Sequence, residues 1–165
     1  MLATSRPALA IALFLALSIG ARISRAQADE LPTRPVLTLA AARRVAHAAE
    51  AEAQRRGLGV VVAVMDDSGT LVVLERLDDT QIASVEVAIG KGRTAAIFRR
   101  PSGVFEDQIK NGRVAVLALP GATALRGGVP LMYQGRVIGA IGVSGDSPTI
   151  DEEIAIAGAA ALTAD

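Results

Sequence analysis

The stretch Gly128-Val129-Pro130-Leu131-Met132-Tyr133, then Gln134-Gly135, then Arg136-Val137-Ile138-Gly139-Ala140-Ile141-Gly142-Val143-Ser144 decides the fold. Two runs rich in β-branched and apolar residues flank a two-residue turn, the pattern of a β-hairpin. In the second run Gly139, Ala140 and Gly142 leave an almost flat surface. A helix can sit close against such a strand.

Upstream, Val60 to Met65 is a continuous apolar run, as expected of a strand covered on both faces. Asp67-Ser68-Gly69 turns the chain, and Leu71 to Leu77 returns beside it as a first hairpin. Val114 to Leu119, closed by Pro120-Gly121, reads as a further strand. Helices fill the intervals. Thr38 is the expected N-cap of one running to about Arg56, with Leu39, Ala42, Ala46, Ala49 and Ala53 on one face and Gly57 as its stop. A second spans about Ile82 to Phe98 and is apolar on two sides, so it must be covered on two sides. Val104 to Ile109 adds a short turn. Ser147-Pro148-Thr149 opens the last helix, with Thr149 and Glu152 spaced as a capping box. The order is α-β-β-α-β-β-β-α. This is an α/β chain of the α+β kind, with a mostly antiparallel five-stranded sheet flanked by helices.

Residues 1–28 predict a secretory signal peptide: Arg6, an apolar run from Ala8 to Ile19, then Ala26-Gln27-Ala28. The apolar run falls short of the roughly 20 residues of a membrane span. Residues 29–37, with Pro32 and Pro35, read as an extended arm, and 38–165 as a single domain. Cleavage after Ala28 leaves 14 Lys and Arg against 17 Asp and Glu, a net charge of −3. That balance argues against a nucleic-acid partner. The expected location is a periplasm or the outside of the cell, with no stable membrane span after processing. The absence of cysteine excludes disulfides, thiolate catalysis, Cys-ligated zinc and iron–sulfur clusters. With His47 the only histidine, a multi-histidine metal site cannot be built.

Several segments, in order, resemble the GlcG/HbpS-like haem-binding (haem-degrading) family, also found as the C-terminal domain of PduO-type proteins. They are Leu37-Thr38-Leu39, Val64-Met65-Asp66-Asp67-Ser68-Gly69, Arg76-Leu77-Asp78, Lys91-Gly92-Arg93-Thr94-Ala95-Ala96, Gly127-Gly128-Val129-Pro130-Leu131 and Val137 through Gly145. The resemblance covers about Leu37 to Leu162. It implies a profilin-like fold with a five-stranded antiparallel sheet and symmetric self-assembly, with octamers typical. The ligand it implies is haem or another tetrapyrrole, in a role of haem degradation or haem and redox sensing.

Candidate site residues follow from that reading. The Gly127-Gly128 backbone can approach a ligand and cradle a carboxylate, or form only a tight turn before an edge strand. Lys91 lacks a helical carboxylate at i−4 or i+4, so it meets an acid from elsewhere or an anionic ligand. Arg76 and Thr94 are its expected companions. His47 by chemistry, or Tyr133 as phenolate, is the expected iron ligand, although His47 shares a polar helix face with Arg43, Glu50 and Gln54. Met65 and Met132 read as core filler. Asp66-Asp67 and Asp78-Asp79 form two acidic pairs that invite acid–base or metal roles, although Asp67-Ser68-Gly69 is better explained as turn chemistry. Glu106, Asp107 and the acidic start of the last helix (Asp151, Glu152, Glu153) read as solvent-facing, or as surface iron sites in an assembly. Without Cys-x-x-Cys-His, covalent haem attachment is excluded. Any ring breakdown would be driven by the bound iron rather than by a preset protein base. Two other readings remain open: an enzyme acting on a small carboxylated metabolite held by Lys91 and Arg76, and an oligomeric scaffold or sensor accessory.

Overall fold

The computed structural model describes residues 31–163. The predicted signal segment and the start of the arm lie outside the described residues. Residues 31–38 carry no regular structure. The helices and strands belong to one compact unit, Arg34–Asp165.

Helix α1, Leu39–Arg55, starts where expected: the Thr38 hydroxyl accepts a hydrogen bond from the Ala41 amide at 3.2 Å. Its buried face is Ala42, Val45, Ala46, Ala49 and Ala53, while Leu39 is exposed. Gly57, at φ +68°, turns the chain out of the helix. Strands β1 (Val61–Asp66) and β2 (Leu71–Arg76) form the first hairpin. The Asp66 carboxylate holds its turn, accepting from the Ser68 amide and the Thr70 amide at 2.9 Å each and the Ser68 hydroxyl at 2.6 Å. Burial pushes the Asp66 carboxyl up, but these donors outweigh it and leave the group below the ordinary carboxylate range.

Helix α2 covers Ser84–Phe98, shorter at its start than expected; Ile82 lies before it and is exposed. Helix α3 spans Gly103–Lys110. Strands β3 (Gly128–Tyr133) and β4 (Arg136–Ser144) match the expected second hairpin. Gln134 and Gly135 both have positive φ, +48° and +74°, as a type I′ turn requires. Helix α4, Pro148–Ala160, closes the chain. The expected capping box at its start does not form: Ser147 is the N-cap residue, and Glu152 reaches away to Arg126.

The sheet has four strands, not five, in the order β2-β1-β4-β3 with every pair antiparallel. The segment expected to be a further strand, Val114–Leu119, is instead a 3-10 helix over Val114–Ala118, and the corrected order is α-β-β-α-α-β-β-α plus that turn. Gly112 (φ +89°) and Gly121 (φ +74°, after Pro120) turn the chain at either end of the segment. Its backbone is satisfied locally, Val116 N–H to the Arg113 carbonyl and Leu119 N–H to the Val116 carbonyl. The outer edge next to β3 also carries Pro130, which has no N–H to offer a fifth strand. The architecture is otherwise the α+β arrangement expected.

Side-chain alternation in β1 sorts the core into two layers. Val60, Val62 and Val64, with Ile141 and Val143, face α1 and α4. Val61, Ala63, Met65 and Ala140 face α2 through Ala88, Ala95 and Ala96. The second layer is built from small residues, which brings α2 down onto β4: a Cβ on Gly142 would lie 2.1 Å from the Ala88 carbonyl oxygen.

Candidate functional site

Three clusters contain the residues singled out above. The first lies under α2. Lys91 points into the protein, its Nζ 2.6 Å from Asp151 Oδ2 in the first turn of α4 and 3.0 Å from the Val143 carbonyl. The two side chains are only 3% and 2% exposed. Asp151 Oδ1 accepts the Asp146 amide at 3.0 Å. Burial pushes the Asp151 carboxyl above its ordinary range, more than Lys91 and that amide pull it down.

Gly127 and Gly128 pack against the same lysine. A Cβ on Gly127 would fall 2.9 Å from Lys91 Nζ, and one on Gly128 would fall 2.1 Å from the Lys91 carbonyl oxygen. The Gly128 amide donates to Ser102 Oγ at 2.8 Å, and the Gly127 carbonyl accepts the Val143 amide at 2.9 Å. Thr94 is buried, donating to the Gly90 carbonyl and accepting the Thr123 amide. The structure therefore brings Lys91, Gly127 and Gly128 together, with Asp151 as the acid from elsewhere. Arg76 is apart from them on β2, donating to the Thr80 carbonyl at 2.9 Å.

The second cluster lies where α1 crosses β2. His47 and Glu50, one helical turn apart, meet Glu75, with their donor atoms all within 4.8 Å of one another. His47 Nε2 is 3.7 Å from Glu75 Oε1. Burial, and then the Glu75 carboxylate beside it, push Glu50 up to about 7, with His47 pulling the other way.

The third cluster lies at the opposite edge of the sheet, around the β3–β4 turn. One hollow of about 410 Å³ is walled by Arg34, Arg99, Met132, Arg136 and Ile138, with Asp67 ion-paired to Arg34. A second, of about 260 Å³, is walled by Val36, Arg44, Tyr133 and Leu162, and shares Pro35 and Ile138 with the first. Tyr133 is 40% exposed, so its phenol is accessible. His47 lies against Glu75 of β2 and Tyr133 on β3, the two edge strands of the sheet. Three strand spacings of about 4.8 Å separate those strands.

Of Glu106 and Asp107, both expected to face solvent, Asp107 does and Glu106 is half-buried, and the two belong to an ion-pair network. Glu106 pairs with Lys110 and accepts the Arg126 amide, while Arg126 bridges Asp107 and Glu152. Asp151, expected with the rest of the acidic start of α4 to face solvent, is instead buried against Lys91. Sequence reasoning did not single out the Glu50–Glu75 pair or the arginines around Tyr133. The signals within the sequence were the i, i+3 spacing of His47 and Glu50 and the missing helical acid beside Lys91. The other contacts join elements far apart in the chain.

A family model described as "Haem degrading protein HbpS-like" matches residues 37–160. Protein GlcG of Escherichia coli (strain K12) is 39% identical over 114 residues, which is 69% of this chain and 85% of that protein. Among solved structures, a double mutant of Streptomyces reticuli HbpS is 34% identical, with a TM-score of 0.75 over 82% of this chain and 93% of that one. A PduOC:heme complex is 29% identical, with a TM-score of 0.72 over 78% of this chain and 96% of that one. This α+β fold of four helices and a four-stranded antiparallel sheet is similar to those solved structures, and the chain belongs to the HbpS-like family of haem degrading proteins.

Proposed function

We propose that this protein binds haem, or a closely related tetrapyrrole, in the cleft where residues 34–38 meet the β3–β4 hairpin. One observation carries the reading: two adjoining hollows share Pro35 and Ile138, one holding the accessible Tyr133 phenol over apolar walls and the other walled by Arg34, Arg99 and Arg136. Pro35, Val36, Ile138 and Leu162 suit the faces of a flat apolar ring. Arg34, Arg99 and Arg136 suit its carboxylates. Tyr133 offers an oxygen donor of the kind that holds ferric haem. When bound, haem supplies redox-active iron; the chain's residues orient the ring and shield one face from water. The PduOC:heme complex among the structural neighbours supports the choice of ligand.

The cleft is open, and a second copy would complete its walls. Val114 and Leu117 are 62% and 71% exposed, apolar surface that favours assembly into a symmetric oligomer, an octamer by family resemblance. The metabolite-enzyme reading has less support, because Lys91 would have to leave a buried pair with Asp151 to hold a substrate.

Haemin titrated into the mature protein, with light scattering alongside, is expected to give a saturable Soret band at no more than one ring per chain of an oligomer. Tyr133→Phe shifts that band and weakens binding by on the order of tenfold, about 1.4 kcal/mol. His47→Ala leaves the band unchanged. No saturable band rejects haem as the ligand; a band altered by His47→Ala alone rejects this cleft.

Export is part of the same proposal and rests on the pattern of residues 1–28. Mass spectrometry of the protein recovered outside the cytoplasm is expected to find Asp29 at the N-terminus. A cytoplasmic chain beginning at Met1 or Leu2 rejects it.

A further inference from the structure

Eight carboxylates among the described residues are at least partly buried: Glu50, Glu52, Asp66, Asp67, Glu75, Glu106, Asp151 and Glu152. Six are compensated. Glu52, Asp67, Glu106, Asp151 and Glu152 each pair with an arginine or lysine, and Asp66 collects backbone amides. Glu50 and Glu75 have no such cation, and they face each other. Arg43, one turn before His47, is exposed and forms no ion pair with either. Glu75 Oε2 is shut off from solvent and has no hydrogen-bond partner. Two carboxyls pressed together call for a positive charge between them, which a proton held by Glu50 (pushed up to about 7) or a metal ion can supply. The third group there, the His47 imidazole, is a counter-charge to the two carboxylates when it carries a proton and offers an electron pair to a metal ion when it does not.

We propose that His47, Glu50 and Glu75 form a binding site for a divalent transition-metal ion, zinc foremost, distinct from the haem cleft. One imidazole nitrogen and two carboxylate oxygens are a donor set that zinc accepts, with a fourth position left for water or a ligand. Donors around a tetrahedral zinc at roughly 2.0–2.2 Å lie about 3.3 Å from each other. The His47–Glu75 pair at 3.7 Å is close to that spacing. The whole set lies within 4.8 Å, and side-chain rotation is the movement by which it would draw in around an ion. Glu75 is fixed on the paired strand β2, and His47 and Glu50 share one face of α1. The ion would tie helix to sheet edge, at the edge opposite Tyr133, and its capture does not depend on haem.

The test uses full-length mature protein stripped with chelator and free of haem, titrated with Zn²⁺ by calorimetry and with Co²⁺ by visible absorption. One ion per chain is expected, with cobalt bands showing a low-symmetry nitrogen–oxygen site. His47→Ala and Glu75→Gln each weaken binding on the order of 10- to 100-fold, the range already lost when outer-shell partners are removed. His47 is mostly exposed, so its replacement leaves the fold intact and decides the matter should Glu75→Gln fail to fold. Absence of binding above that of a His47→Ala, Glu50→Gln, Glu75→Gln triple variant overturns the proposal. So does Zn²⁺ binding that neither single replacement changes. Either result would mean that the two carboxylates share a proton rather than an ion.

Discussion

Lys91→Ala destabilises the fold by about 3–5 kcal/mol, the usual consequence of removing one partner of a buried ion pair. Asp151 would be left as an unpaired carboxylate in a site where it is 2% exposed. Burial already pushes its carboxyl upward with the lysine present. A paired replacement, Lys91→Met with Asp151→Leu, is expected to recover most of the loss, because desolvating the two charges offsets much of their attraction. Urea unfolding of the two single variants and the double variant measures this as a double-mutant cycle. The comparison also decides what Lys91 is for. A Lys91→Ala protein as stable as the parent but weaker for haemin or small acids would make the lysine a ligand group, and the pairing with Asp151 incidental.

Gly142→Ala costs at least the upper end of the 1–3 kcal/mol typical of overpacking, about 3 kcal/mol. The added Cβ would meet the Ala88 carbonyl oxygen at 2.1 Å and the Gly92 nitrogen at 2.4 Å. Both obstacles are backbone of α2, so no side-chain rotation relieves them and the helix must lift from β4. That movement opens the Val61–Ala63–Met65 layer beneath it. Gly135→Ala is the control. Its site is open, with nothing within 4 Å, and only its φ of +74° opposes a side chain, at a cost of roughly 1–2 kcal/mol. Denaturation midpoints should therefore fall much further for Gly142→Ala. Equal losses would mean that the α2–β4 contact is not tight in solution.

Much of the fold was legible because its signals are local. Thr38 caps α1, Gly57 ends it, and Gln134-Gly135 makes the turn that sets the β3–β4 register. The continuous run at Val60–Met65 marked a strand buried on both faces, and β1 is one of the two central strands. The misread segment shows the limit of such signals. Val114–Leu119 has the composition of a strand, but a strand requires a free edge within reach, and no sequence window reports that. Thr149 and Glu152 have capping-box spacing, but Arg126 takes the glutamate through a contact across 26 positions.

The site divides in the same way. The residue types came from the chain alone: one imidazole, one phenol, and an intrahelical lysine without a helical acid. Which of them meet was settled by tertiary structure. The order β2-β1-β4-β3 sends His47 and Tyr133 to opposite edges, and the close seating of α2 turns Lys91 inward to Asp151. Local sequence governs capping, turning and alternation because those depend on neighbours a few bonds away. Pairings such as Lys91 with Asp151, or Glu50 with Glu75, depend on where packed layers bring distant segments, and they exist only once the core has closed.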